Sequence, residues 1–486
     1  MNRTKRLLFS MLTLLCCCAG AWADEVDNDT HLKYTVANDE VTVTGFADDF
    51  TPGANYALVI PDVIDGKPVV AVGASAFIDK TNFTKLTIGK NVKTIGTDAF
   101  RRTTSMTSVT FADGGVLETL GESAFRGCAE LTEFVMPNTV TTIGQYALAV
   151  NAKLASVTLS NQLTTLAQYA LCDCPMLETV VIPASVTTIE SRAFKNYSEG
   201  LEEITIPSTV TSVASDAFYI CNNLNTVTWN SATVPENIFK DKTSLQTVTL
   251  GEGVKTIGSS AFMNCTGLTD LSIANTVKTI NASAFYGCTA LGSVIIPALV
   301  SKLPDEVFKG CTSLASVSFA EGSQLTQMTV GVFSGCSMLN NFTIPATVNY
   351  IGSDCFYQCS QLKSIVIPSS VTYLGGNAFK ECTALESAVF GQGIQLETIP
   401  AGCFRSCSSL VGVDIPASVK RIEGDTSNGA FQLSGIQYVN FAENCIVEHL
   451  GTSAFRGCAE LTEFVMPNTV TTIGTTCCRQ MQSLPL

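Results

Sequence analysis

The chain has 486 residues, 28 basic and 42 acidic, for a formal net charge of −14, and 46% of it is aliphatic, aromatic or Cys. That apolar content is too high for a disordered chain, and an acidic balance with no basic block argues against nucleic acid as a partner. Only two His are present, His31 and His449, which leaves little for metal or acid–base chemistry near neutral pH.

Residues 1–23 have the layout of a secretory signal. Arg3, Lys5 and Arg6 precede an apolar stretch from Leu7 to Gly20, and Ala21-Trp22-Ala23 offers a cleavage site. The stretch is too short to span a bilayer comfortably, and the chain has no other long apolar run. The mature chain is therefore expected outside the cell or on its surface, not as a transmembrane protein. Cys16, Cys17 and Cys18 leave a lipid anchor open as an alternative, although Leu15, Cys16 and Cys17 stand where a small residue is expected. Residues 24–56 do not repeat. Lys33-Tyr-Thr-Val and Val41-Thr-Val-Thr-Gly45 read as two strands around Asn38-Asp39-Glu40, a hairpin that caps the first repeat.

Residues 57–486 carry one recurring motif. Its anchor is a Phe, at 77, 100, 125, 194, 218, 239, 262, 285, 308, 333, 356, 379, 404, 431 and 455. Leu148, Leu171 and Cys478 complete 18 positions, and ten of the 17 spacings are 23 residues. A fixed period of this size predicts a solenoid of about 18 turns, the last incomplete. Residues 124–143 show one period: Ala124, Phe125, Cys128, Leu131, Phe134, Met136, Val140 and Ile143 are the inward candidates. Phe134-x-Met136 alternates as a short strand does, and Pro137, lacking an N–H, ends it. Val140-x-x-Ile143-Gly144 is expected to turn the chain, and Ala-Phe-x-x-Cys to form a helical turn or short 3₁₀ piece. One such repeat cannot bury its own apolar face, whereas stacked neighbours share a continuous core. Ser453 to Gly474 repeats Ser123 to Gly144 residue for residue, and only a faint half repeat comes after it.

The pattern Leu-x-x-Val-x-Ile-Pro-x-x-Val-x-x-Ile-Gly-x-x-Ala-Phe-x-x-Cys, clear from Phe262 to Ile280 and from Phe285 to Leu303, resembles the 23-residue leucine-rich repeat of BspA-like surface proteins. The resemblance covers about 430 residues. It implies a right-handed leucine-rich-repeat superhelix with short parallel strands on a concave face and short helical, 3₁₀ or irregular segments elsewhere. It also implies a secreted or surface protein associated with adhesion to matrix proteins or other cells, and it transfers no catalytic residue.

Eleven Cys stand three places after the anchor, from Cys128 to Cys458. Export favours disulfides, but identical side chains in successive turns share one inward direction, so a ladder of free buried thiols is the favoured reading. No CxxC pair exists, and no metal is expected. Of 26 Phe, 15 are anchors and eight more (Phe83, Phe111, Phe134, Phe319, Phe342, Phe390, Phe441, Phe464) take inward strand positions, as does Trp229, which leaves almost no Phe or Trp for an exposed aromatic platform.

The residues between the inward ones form two outward rows. Thr158, Thr179, Thr205, Thr226, Thr228, Thr247, Thr249, Ser272, Ser293, Ile295, Ser316 and Ser318 are the ligand-contact candidates on the concave face. They describe a nearly uncharged hydroxyl-and-methyl surface suited to a protein or glycan surface on host or neighbouring cells; β-propensity alone accounts for the same composition. No G-x-S-x-G, H-E-x-x-H, P-loop or G-x-G-x-x-G motif occurs, so neither an enzyme nor a cofactor is expected. His449, after Glu448, reads as a loop residue. A binding scaffold is the leading function, and an envelope spacer without a dedicated ligand is the alternative.

Overall fold

The computed structural model describes residues 24–196 and 200–479, with Glu463 described in its backbone only. The export signal, the Cys16–Cys18 alternative and residues 480–486 lie outside the described residues. The chain forms two compact units, Met1–Gln162 and Leu163–Leu486. Each is a stack of coils held by parallel strands, and no helix occurs among the described residues.

Each coil contributes a longer and a shorter strand. In the second unit the longer strands Thr179–Val180, Glu203–Ile206, Thr226–Trp229, Thr247–Leu250 and Asp270–Ile273 form one parallel sheet. Within it Val227, Trp229, Val248 and Leu250 are buried while Thr226, Thr228, Thr247 and Thr249 face outward. Trp229 is fully enclosed and its indole N–H donates to the Thr233 carbonyl at 3.2 Å. The shorter strands lie where the sequence suggested only a turn. Thr94–Ile95, Thr119–Leu120 and Thr142–Ile143 pair in parallel in the first unit, and Thr233–Val234, Thr256–Ile257 and Thr279–Ile280 in the second. Where a glycine follows the shorter strand, as at Gly96, Gly258 and Gly375, it lets the coils close together: a Cβ on Gly375 would sit 2.2 Å from the backbone N of Ser353. His449 also lies in a shorter strand, His449–Leu450, rather than in a loop.

The Ala-Phe-x-x-Cys segment is not helical. In most coils the residues two before and two after the anchor have left-handed backbones, as at Ser283 (φ 56°) and Gly287 (φ 70°), which no helix accommodates. The N–H groups of Ser283, Phe285 and Gly287 instead donate to Asp305, Val307 and Lys309 of the next coil, at 2.8 to 3.0 Å. Glu306, Phe308 and Gly310 repeat the pattern against Val330, Val332 and Ser334. The turn is thus a third inter-coil ladder, which satisfies backbone groups that burial would otherwise leave unpaired.

This ladder holds the anchors in register. Phe262 and Phe285 stack with centroids 5.3 Å apart and planes within 2°, and Phe285 and Phe308 at 5.5 Å and 5°. The Phe anchors are at most 3% exposed. Beneath them run the thiols. Cys265, Cys288, Cys311, Cys336, Cys359, Cys382 and Cys407 are free and buried. Each donates its S–H to the anchor carbonyl of the preceding coil at 3.1 to 3.2 Å, as Cys311 does to Phe285. Burial pushes these thiols up, Cys128 and Cys221 to about 12 and Cys458 to about 11, which keeps them protonated donors rather than nucleophiles.

In the first unit Leu32–Ala37 and Glu40–Phe46 pair antiparallel, and the latter pairs in parallel with Lys67–Val72 at the start of the shorter-strand ladder. Phe46 packs edge-on against Phe77 at 4.9 Å, so the hairpin extends the aromatic stack. Not every strand Phe is enclosed. Phe83, Phe134 and Phe342 are buried, but Phe111, Phe319, Phe390, Phe441 and Phe464 are half-buried. The first four of these end strands that lead into longer connections, such as Ala112-Asp-Gly-Gly115.

Candidate binding surface

The twelve candidate contact residues all lie on the outward side of longer strands or continue those rows, and all are exposed or half-buried. Register aligns Thr205, Thr228, Thr249 and Ser272 as direct neighbours across four strands. The parallel row holds Thr226 and Thr247, bounded by Glu203 and Asp270. Ser293 faces Ser316 and Ile295 faces Ser318 on the next strand pair. Thr179 registers with Glu203. Thr158 belongs to the first unit, where it pairs with Val135, so it is not part of the second unit's rows.

The strands position these hydroxyls because period-two alternation commits their neighbours to the core. The Thr226 hydroxyl donates to the Asn225 side-chain carbonyl at 2.8 Å, so it is partly engaged. The surface is not uniformly polar: Val181 is 81% exposed and Ile295 61%, and Val366 and Val389 register side by side. Such a face makes shallow hydroxyl and methyl contacts. It holds no nucleophile with a base, and no group of three or more potential metal ligands gathers among the described residues.

The shorter-strand face is chemically different, and sequence reasoning passed over it. Its outward position is Thr or Ser from Thr94 to Thr279, then changes to Lys302, Gln327, Tyr350 and Tyr373, which register in one row. Thr398, Arg421 and His449 register in a second row. Arg421 pairs with Glu423, and the His449 Nε2 lies 3.7 Å from the same carboxylate. The signal was present as a break in an otherwise constant position six residues before the anchor, ten in the longer coil of Arg421 and Phe431.

The sequence pattern of the BspA type leucine-rich repeat region matches residues 70–199, 196–315, 232–362, 305–426 and 393–485. The chain belongs to this family. Solved structures it resembles include leucine-rich repeat proteins of bacteria. A leucine-rich cell surface protein of Faecalibacterium prausnitzii is 26% identical, with 76% of this chain and 95% of that one covered at a TM-score of 0.41. A leucine-rich repeat protein of Bacteroides ovatus is 21% identical over 88% of this chain and all of that one, with a TM-score of 0.47. The pneumococcal vaccine antigen PcpA is 18% identical over 88% of this chain and 98% of that one, at 0.35. No curated protein matches the chain. No helix among the described residues is long and apolar enough to cross a membrane.

Proposed function

We propose that this BspA-type repeat protein is an exported, surface-displayed binding scaffold that docks on protein or glycan surfaces of host or neighbouring cells. The observation that carries this reading is the registered outward row Thr205, Thr228, Thr249 and Ser272, flanked by the row of Thr226 and Thr247. Four adjacent strands present small hydroxyl side chains at one height, which lets a broad partner approach without a steric obstacle. Binding there is a sum of many weak contacts, since the aromatic and Arg side chains that make sharp hot spots are absent from this row. The layout of residues 1–23 supports export, and the repeat family is one of surface proteins.

The test is direct. The full chain is passed over immobilised matrix proteins and mucins, beside a variant carrying Thr228→Lys, Thr249→Lys and Ser272→Lys. Three cations spaced one strand apart should weaken retention at least tenfold, equivalent to about 1.4 kcal/mol. Retention equal to that of the unaltered chain places the contact elsewhere. Cell fractionation then reads export separately.

A further inference from the structure

The break in the shorter-strand face builds a cleft. Tyr350 and Tyr373 stack with centroids 4.5 Å apart and planes within 7°. Tyr373 is nonetheless 46% exposed, because only one side of its ring is covered by Tyr350. Beside it opens a cleft of about 560 Å³ lined by Thr372, Tyr373, Gln395, Glu397, Thr398 and Pro400. The Glu397 carboxylate is held by Lys420, whose Nζ donates to Oε1 at 2.7 Å. The Gln395 amide donates to the Gly393 carbonyl at 2.9 Å, which fixes the loop that brings it to the rim.

We infer that this cleft is a carbohydrate site that takes a neutral pyranose unit of a glycan. A pyranose has one apolar face of C–H bonds and a rim of hydroxyls. The Tyr373 ring supplies a flat apolar platform of matching size, kept rigid by the ring stacked behind it. Around that platform stand a carboxylate, an amide, the Thr398 hydroxyl and the Thr372 hydroxyl, which donates to the Asn349 carbonyl at 3.3 Å and so faces a ligand as an acceptor; this is the small set of polar groups that orients a ligand in a cleft of this volume. The chain's net charge of −14 disfavours acidic sugars, although Lys420 offsets the Glu397 carboxylate locally. A proline-rich peptide would need a groove between parallel rings, and Tyr350 and Tyr373 leave none because they stack face to face. The site is on different strands from the Thr and Ser rows, so it stands or falls independently of them.

The experiment uses the full chain on an array of neutral and sialylated oligosaccharides, with affinities for retained compounds measured by calorimetry. Neutral oligosaccharides should be retained over sialylated ones. Tyr373→Ala should weaken them about tenfold and Gln395→Ala several-fold, while Tyr373→Phe, which keeps the ring, should stay within about threefold. The Thr228, Thr249 and Ser272 lysine variant should bind these sugars as the unaltered chain does. The proposal is overturned if no neutral glycan is retained, if Tyr373→Ala binds unchanged, if Tyr373→Phe loses as much as Tyr373→Ala, or if a polyproline peptide displaces the sugar. Circular dichroism of Tyr373→Ala guards against loss of the fold, and Gln395→Ala on its exposed loop tests the site even then.

Discussion

At the scale of single residues, the position three after the anchor shows how the interior selects its side chains. A thiol there is small, apolar enough to be enclosed, and still able to donate one weak hydrogen bond to the carbonyl below it. Lys242 occupies the same position in its coil, between the coils of Cys221 and Cys265, and is only 7% exposed. Burial pushes its ammonium down, the mark of a charge held where water is scarce. Lys242→Cys should therefore stabilise the protein by about 1–2 kcal/mol, read as a higher urea midpoint, because a buried charge is replaced by the group the neighbouring coils already use. A lower midpoint would mean that the lysine stem packs better than the thiol.

At the scale of one coil, burial belongs to the neighbour as much as to the residue. Ser123–Gly144 and Ser453–Gly474 have the same sequence. Met136 is 2% exposed and donates its backbone N–H to Thr158, whereas Met466 is 41% exposed; Ile143 is 5% exposed and Ile473 52%. The difference lies in what packs against each coil, since the residues are identical. The same logic sets the worth of an anchor in the middle of the stack. Phe285 has a ring on either side of it. Phe285→Ala should cost about 3–5 kcal/mol in urea unfolding, the cavity reaching both neighbouring coils. A cost under about 1 kcal/mol would show that the coils close over the gap.

At the scale of the whole chain, a repeat protein adds small terms many times, because each coil interacts with its neighbours alone. The thiol ladder makes such a sum visible through pH. Each of these thiols has a folded value raised above the ordinary one of about 8.5, so the folded state holds protons that the unfolded state releases. The contribution is fully present below about pH 8.5 and is lost as pH climbs towards about 11 for Cys458 and about 12 for Cys128 and Cys221. Melting temperature should therefore fall steeply above about pH 9, more steeply than in a variant with Cys288, Cys311 and Cys336 changed to Ala. Parallel slopes in the two proteins would contradict it.

Period and anchor were legible without coordinates, because an apolar side chain recurring every 23 residues has no other way to be buried than against its own copies. The inward Cys followed from their fixed place three residues after the anchor, and Trp229 and the outward Thr row from strand alternation. The left-handed turns and the shorter-strand ladder did not, since both depend on backbone hydrogen bonds between residues more than 20 apart, which leave no local hydrophobic pattern. Tyr350 and Tyr373 stand 23 residues apart in the sequence, and only the stacking of the coils sets their rings face to face. The single-coil sequence carries its own period; which side chains meet across coils is decided only when the coils close on one another.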